Sequence, residues 1–139
     1  MLDKELKKIQ KAGKQGYKEC LKQVLTTHGK LVFLYKKKVG KKHHSTRSFW
    51  SKYLHFHNRF VPIYDSRVTK NISELFSKDK HLKSLLKTEP EFNSKGVDRS
   101  YAKYVKKFFV LGSKGIELRD KEYKNHVKEL DYFILRFNS

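Results

Sequence analysis

The sequence contains little of several things that define whole classes of protein. Cys20 is the only cysteine, so no disulfide can form within the chain and nothing indicates an oxidising compartment. No apolar run approaches the roughly 20 residues that a membrane-spanning helix needs. The first ten residues, MLDKELKKIQ, mix carboxylates with lysines and lack the apolar region of a secretory signal. We therefore expect a cytoplasmic protein that makes no contact with a membrane.

Acidic residues are also scarce. Asp and Glu total 14 against 33 Lys and Arg in 139 residues, which gives a formal net charge of +19. Because 37% of the residues are hydrophobic, with ten Phe and eight Tyr, we expect a folded core despite the charge. Charges of one sign repel one another in the compact state, and a polyanion would relieve that repulsion. Nucleic acid is the expected partner, because clustered Lys and Arg bind phosphates with release of counterions. The alternative is a basic surface that only aids solubility.

Apolar residues recur with a helical period along almost the whole chain, and the length suits one domain over residues 1–139. We predict an all-α fold, a compact bundle of about six to seven helices. The first helix should end before Gly13, and the second should run from about Gly16 to Thr27, with His28-Gly29 as its C-terminal stop. Cys20 falls on the apolar stripe of the second helix and is expected to be a small core residue. The apolar run 31–35 (LVFLY) fits a strand or a buried helical turn, and we favour the turn because no partner strand is evident.

Basic residues crowd the next segment, Lys36 to His44 (KKKVGKKHH), which we expect to be a loop around Gly40. Lys37, Lys41 and Lys42 make this loop a candidate phosphate-binding site, since backbone amides around the glycine would add to their charge. The alternative is a solvated connector.

The expected helices of the second half are defined by their apolar residues. The third starts near Ser45 or Thr46 and is expected to bury Phe49, Trp50, Tyr53, Leu54 and His57. Pro62 precedes a fourth helix with Val68, Ile72, Leu75 and Phe76 on one face. The remaining helices carry Leu82, Leu85 and Leu86; then Tyr101, Tyr104, Val105, Phe108 and Phe109 behind an N-terminal Asp98; and finally, after Gly115, Tyr123, Val127, Leu130, Ile134 and Phe137.

Asp65 is a single carboxylate at the predicted start of the fourth helix. A carboxylate at this position is most often an N-cap, which accepts hydrogen bonds from exposed amides and contributes about 1 kcal/mol. The alternative is that the amides hold the carboxylate at the edge of a groove, where it activates water or stabilises a developing cation. Tyr64, directly before it, is the candidate for stacking on a base.

The segment GKKHHSTRSFWSKYLHFHNRFVPIYDSRVTKNI resembles the catalytic segment of the helix-hairpin-helix DNA base-excision glycosylases, and is most similar to their 8-oxoguanine glycosylase branches. In that family a glycine hairpin precedes a helix, and a short apolar stretch then leads to the Asp that drives base excision. Val39-Gly40-Lys41 resembles the hairpin, and Pro62 to Val68 resembles the approach and the Asp. The resemblance covers residues 39–76. It implies a glycosylase-like helical fold, DNA rather than RNA as the partner, and Asp65 as the catalytic carboxylate.

Arg47 departs from the pattern of the bifunctional members of that family, which carry a lysine nucleophile at this position. A guanidinium stays protonated and cannot form the Schiff base that such a lysine forms. The resemblance therefore implies monofunctional hydrolysis of the N-glycosidic bond of a damaged base, with no cleavage of the strand. The residues expected to contact nucleic acid are Lys37, Gly40, Lys41, Lys42, Arg47, Tyr64 and Arg67. No cofactor or metal is expected, because adjacent or alternate histidines on a helix point in different directions.

Two other functions stay open. The first is a non-catalytic nucleic-acid-binding module that uses the same basic surface, which Arg47 and the short chain favour. The second is a small basic ribonuclease. The Arg-x-x-x-x-His spacing found in many such nucleases is absent from this sequence, which makes the ribonuclease a minor alternative.

Overall fold

The computed structural model describes residues 2–39, 43–90, 92 and 94–112, with side chains throughout except at 36–39 and 43–45. This part of the chain contains six helices and no strand: α1 (Leu2–Gly13), α2 (Tyr17–Val39), α3 (His43–His57), α4 (Ser66–Lys78), α5 (Lys80–Thr88) and α6 (Arg99–Val110). The predicted all-α bundle is confirmed. The helix expected after Gly115 lies outside the described residues. Among the described helices none is both long and apolar enough to cross a membrane.

Helix α6 supplies the largest share of the core. Tyr101, Val105 and Phe108 on this helix are completely buried. It packs against α2, α4 and α5, while α1 lies along α2 and α2 lies along α3. The other helices contribute the following buried side chains: Ile9; Tyr17, Cys20, Leu21, Val24, Leu25 and Leu31; Leu54; Val68, Ile72 and Phe76; Leu82. Helices α4, α5 and α6 therefore bury the faces that their sequence period predicts.

Helix α2 differs most from the prediction. It continues without a break through His28-Gly29, which was expected to end it, and takes in the apolar run 31–35 as ordinary helix. The glycine has a packing role here, because a Cβ at Gly29 would overlap the carbonyl oxygen of Gly96. Only a residue without a side chain lets the chain before α6 pass this close to α2. The signal that resembled a helix C-cap is therefore a glycine required for close approach.

Because α2 extends to Val39, the prediction of a basic loop from Lys36 to His44 is wrong. The backbone stays helical to Val39, and α3 already begins at His43 instead of near Ser45 or Thr46. Residues 40–42 lie outside the described part of the chain. The described residues of the predicted loop, 36–39 and 43–44, are therefore helical.

Helix α3 buries different residues from those expected. Leu54 is completely buried as predicted, but Phe49 is 56% exposed and His57 is exposed. Trp50 and Tyr53 are half-buried. Among the described side chains of α3, residues 46–57, the other buried positions are Thr46 and Ser51. Small polar residues therefore occupy much of the buried face, and the aromatic stripe of the sequence lies largely outside it.

Aspartates begin three of the helices. The predicted Asp98 cap is confirmed, since its Oδ1 accepts a hydrogen bond from the Tyr101 amide at 2.9 Å. Asp79 closes α4 with its backbone amide and opens α5 by accepting a hydrogen bond from the Leu82 amide at 3.0 Å. Asp65 begins α4.

Candidate nucleic-acid interface

Asp65 has the geometry of an N-cap. Its backbone is extended, and its Oδ1 accepts hydrogen bonds from the amides of Arg67 at 2.9 Å and Val68 at 3.4 Å. The Asp65 side chain is 29% exposed, and the Arg67 guanidinium, itself 79% exposed, places its Nε 3.9 Å from the same oxygen. The capping role, which the sequence favoured, is confirmed. The carboxylate is nonetheless partly open to solvent, so the cap does not remove it from the surface.

Side-chain hydrogen bonds hold the apolar approach to Asp65 along most of its length. The Phe60 carbonyl accepts from Tyr17 Oη at 3.1 Å, and the Pro62 carbonyl accepts from Tyr101 Oη at 2.5 Å. His55 Nδ1 donates to the Val61 carbonyl at 2.8 Å.

Tyr64 is bonded from two sides: its carbonyl accepts from Ser48 Oγ at 2.8 Å, and its amide donates to Ser51 Oγ at 2.8 Å. Donors from α2, α3 and α6 thus fix residues 60–64 (FVPIY), and with them the position of Asp65.

Arg47 lies inside this region, with its side chain only 12% exposed. Its Nε donates to Asp98 Oδ1 at 2.7 Å, and its backbone carbonyl accepts a hydrogen bond from His28 Nε2 at 2.9 Å. The guanidinium carbon lies 5.4 Å from the centre of the Tyr64 ring. The structure therefore gives Arg47 internal partners, and its expected contact with nucleic acid stays a prediction.

Burial controls the charge state of His28. The ring is completely buried and lies 4.0 Å from the Tyr101 ring. Desolvation lowers the pKa of His28 to about 4, although the Arg47 carbonyl and the Asp98 charge oppose this. Protonation would also add an N–H at Nδ1, for which the described structure offers no acceptor. His28 is therefore neutral near pH 7 and donates through Nε2.

Asp98 keeps its charge in the same surroundings. Burial opposes its ionisation, but the hydrogen bonds from Arg47 and from the Tyr101 amide hold its pKa below the usual value. The pair of Arg47 and Asp98 is thus a buried, hydrogen-bonded ion pair.

The remaining predicted contact residues are placed as follows. Tyr64 is half-buried and packs edge-on against Tyr104, with ring centres 5.6 Å apart. Arg67 is exposed. Lys37 lies on the last turns of α2, where the side chains are not described, and Gly40, Lys41 and Lys42 lie outside the described residues. The structure therefore brings Arg47, Tyr64 and Asp65 together, and phosphate binding by residues 36–44 stays a prediction.

Three of the described carboxylates, Glu5, Glu89 and Asp98, are buried and bonded to side chains of the same chain. Glu5 accepts hydrogen bonds from Lys30 and Lys8, and Glu89 from Lys18. Burial opposes ionisation of Glu5, but these lysines and a threonine hydroxyl lower its pKa below the usual value. With Asp98 also buried, the exposed carboxylates of the described ranges are Asp3, Glu19 and Asp79. Exposed lysines cover the outer faces of α1 and of α4–α5: Lys4, Lys7, Lys8 and Lys11; Lys70, Lys78, Lys80, Lys83 and Lys87.

An aromatic strip on α3, formed by Phe49, Tyr53 and Phe56, is the feature that the sequence interpretation missed. Phe56 is 84% exposed and Phe49 is 56% exposed. The Phe49 and Tyr53 rings lie 6.5 Å apart and 26° from parallel. These residues are spaced i, i+4 and i+7, so they share one face of the helix. The available signal was the excess of aromatics on α3, because one helix cannot bury all of its sides in a domain of this size.

A basic cleft adjoins the end of the aromatic strip. It has a volume of about 960 Å³ and lies between the end of α1, the start of α2 and residues 57–60. Lys7, Lys14 and Arg59 line it, and all three are exposed. His57 lines the same cleft, and its ring centre lies 4.8 Å from that of Tyr53. Cationic and aromatic side chains therefore form one continuous surface.

Metal binding and thiol chemistry find little support among the described residues. They contain no group of three His, Cys, Asp or Glu side chains that would hold a metal ion. Cys20 is buried, as predicted, and burial raises the pKa of its thiol to about 11. At neutral pH it is a protonated core residue.

Comparison with protein-family models, curated protein sequences and solved structures gives no match to this chain. The resemblance to the base-excision glycosylases therefore stays a prediction from residues 39–76.

Proposed function

We propose that the protein binds nucleic acid as a non-catalytic helical module, through the lysines and arginines of its surface. The observation that carries this proposal is the unequal placement of charge. Glu5, Glu89 and Asp98 are buried and neutralised by side chains of the same chain, while most of the described lysines are exposed. The surface of the described residues is therefore more one-sidedly basic than their composition alone requires.

Phosphate polymers are the natural partner for such a surface. Binding one releases its condensed counterions, and the neutralised lysines no longer repel one another. The affinity should rise with the number of phosphates contacted and should depend little on base sequence.

The test is a fluorescence anisotropy titration of labelled duplex and single-stranded oligonucleotides at increasing salt. We expect tight binding at low salt and a logarithm of the affinity that falls linearly with the logarithm of salt, by about 0.9 per phosphate contacted on duplex DNA. No binding to either form at low salt would contradict the proposal.

Base excision by Asp65 is the second candidate. The observation that favours it is the fixed approach: residues 60–64 are anchored by side chains of three helices, and they hold a partly exposed carboxylate in one position. A carboxylate held in this way could take a proton from water or oppose positive charge that grows on the sugar.

Asp65→Asn separates excision from binding. The amide keeps a capping oxygen, so the fold should lose only about 1 kcal/mol or less. If Asp65 is catalytic, the substitution should abolish excision of damaged bases while the affinity for duplex holds or improves. Asp79→Asn is the matched control, since it alters another helix-capping Asp and should leave excision unchanged.

Two results would contradict the catalytic function. One is a wild-type protein that excises nothing from a broad panel of damaged duplexes, and the other is an Asp65→Asn variant that excises at the wild-type rate. Borohydride treatment during excision should give no covalent adduct, because a guanidinium at position 47 cannot form a Schiff base.

A further inference from the structure

We propose that the aromatic strip of α3 stacks on the unpaired bases of single-stranded nucleic acid, while the adjoining basic cleft holds the phosphates of the same strand. This inference rests on the proposed nucleic-acid binding and names its form: an unpaired strand rather than a duplex. Its basis is the continuity of Phe49, Tyr53 and Phe56 with the cleft through His57.

The exposed phenylalanines of the aromatic strip indicate that a partner covers this face of α3. An exposed phenylalanine ring is unfavourable in water, because covering it removes apolar surface from the solvent. The large hydrophobic side chains exposed in the described part of the chain are all phenylalanines, namely Phe33, Phe49 and Phe56. Two of the three lie on one face of α3. A face lined with aromatic rings suits the flat face of a base, and every base has one.

Charge complementarity identifies the occupant. Lys52 lies on the same helix between Phe49 and Phe56 and is exposed, and Arg59 follows shortly after the helix, also exposed. An uncharged apolar partner, or a second copy of a chain that carries +19, would have to accept these cations at the interface. A single strand supplies both a phosphate for each cation and a base for each ring.

The dimensions also agree. Phe49 and Phe56 are seven residues apart, which places them about 10.5 Å apart along the helix axis. The Phe49 and Tyr53 rings are nearly parallel, so both can face bases of one strand. Beyond Phe56 the surface continues through His57 into the cleft, where Lys7, Lys14 and Arg59 supply positive charge. In a duplex the bases are already stacked and paired, so the strip would have nothing to bind.

The experiment compares a labelled single strand with an abasic strand of the same length, which keeps every phosphate and removes every base. Both are titrated into the full-length wild-type protein at one salt concentration. Each stacked base contributes about 1–3 kcal/mol, so the base-containing strand should bind at least about fivefold more tightly than the abasic one. Trp50 provides an internal reporter, since it is the only tryptophan and its ring centre lies 4.9 Å from that of Phe49. Its emission should change with the base-containing strand only.

The decisive variant is F49A/F56A. Both side chains are exposed, so the helical circular dichroism and unfolding midpoint should stay close to wild type. This variant should bind the two strands with nearly equal affinity, at the level of the wild-type protein with the abasic strand. F33A is the matched control, because Phe33 is also exposed but lies on α2. It should keep the wild-type preference.

The outcomes separate this inference from the proposed function. If the protein binds no nucleic acid, both fail. If it binds duplex and single strand alike, with no preference for bases, the strip has another occupant and only this inference fails. Loss of a dimer in F49A/F56A, without change in strand binding, would assign the strip to self-association. Tight binding to anionic vesicles that F49A/F56A abolishes, again without change in strand binding, would assign it to a membrane surface and equally overturn the inference.

Discussion

Asp98 accepts hydrogen bonds from two parts of the chain, the Arg47 side chain and the first turn of α6. The carboxylate is almost completely buried, so neither bond can be replaced by water. Asp65 is also a helix cap, but its side chain is partly exposed and its nearest cation is a solvated arginine. Asp65 and Asp98 are both helix caps in the sequence pattern, but more of the stability of the fold should depend on Asp98.

We predict that Asp98→Ala destabilises the protein far more than Asp65→Ala. Removal of one member of a buried ion pair leaves the other unpaired and costs about 3–5 kcal/mol. Loss of a partly exposed cap such as Asp65 costs about 1 kcal/mol. Urea unfolding of both variants measures the difference, and equal free energies of unfolding would show that Arg47 finds another partner when Asp98 is absent.

The neutral state of His28 makes stability depend on pH. Its pKa is about 4 in the folded protein and about 6.5 in the unfolded chain, so the unfolded state binds a proton first as the pH falls. Stability should be constant above about pH 6.5 and should decrease towards pH 4, by about 3 kcal/mol in total. Asp98 acts in the same direction at lower pH: its pKa in the folded protein lies below the unfolded value of 3.8, so the stability that it contributes is complete above 3.8 and is lost as the pH falls further.

His28→Gln tests this prediction, because the amide keeps an N–H donor for the Arg47 carbonyl and does not titrate. The variant is expected to be less stable than wild type at pH 7. Its free energy of unfolding should change much less between about pH 6.5 and the folded-state pKa of about 4. A wild-type slope retained in the variant would assign the pH dependence to other groups.

At the scale of the helix, Gly29 accounts for the largest difference between sequence and structure. In an isolated helix a glycine is less favourable than alanine by about 1 kcal/mol. In α2 the space that a Cβ needs is taken by the backbone of Gly96 and Val97. Tertiary contact therefore decides the residue at this position, and helix propensity does not.

Gly29→Ala is expected to destabilise the protein by about 2 kcal/mol, although alanine is the better helix former, because backbone must move to admit the methyl group. Gly13→Ala is the control. A Cβ there meets Cys20 at an ordinary distance of 3.9 Å, so this variant should be neutral or slightly stabilised. The unfolding midpoints of the two variants give the comparison. A stabilised Gly29→Ala would mean that residues 96–97 move away at little cost.

The buried face of a helix can be predicted from sequence when local pattern decides it, and cannot when tertiary contacts do. Helices α4, α5 and α6 each have one apolar stripe and an aspartate that opens them, so pattern and structure agree. Helix α3 has more aromatic residues than one face can hold. Which aromatics are buried is decided by small residues such as Ser51, whose hydroxyl bonds to Tyr64 across the fold. No hydrophobic pattern contains that information.

At the scale of the whole molecule, the positive charge follows from the composition, and the all-α fold follows from the helical period of the apolar residues. The candidate site follows from neither. Asp65 was found from its local context, since a carboxylate before a helix has a strong local signature. The partners of Arg47 are distant in sequence, as Asp98 and His28 show. The continuity of the aromatic strip with the basic cleft likewise joins residues of α1 and α3, and only the packed structure brings these together.

The net charge leads to a last prediction, which separates the basic segment 36–44, at the junction of α2 and α3, from the basic surface as a whole. If that segment binds phosphates, replacing Lys37, Lys41 and Lys42 with Ala should flatten the salt dependence of nucleic-acid binding, by up to about 0.9 in the logarithmic slope for each duplex phosphate that is no longer neutralised. The triple variant Lys80/Lys83/Lys87→Ala is the matched control. It removes the same charge from exposed positions on α5, distant in sequence from the segment.

If both variants reduce the slope equally, the affinity comes from the electrostatic field of the whole protein and not from a site at the segment. A slope unchanged in the first variant and reduced in the second would instead place the bound phosphates on α5.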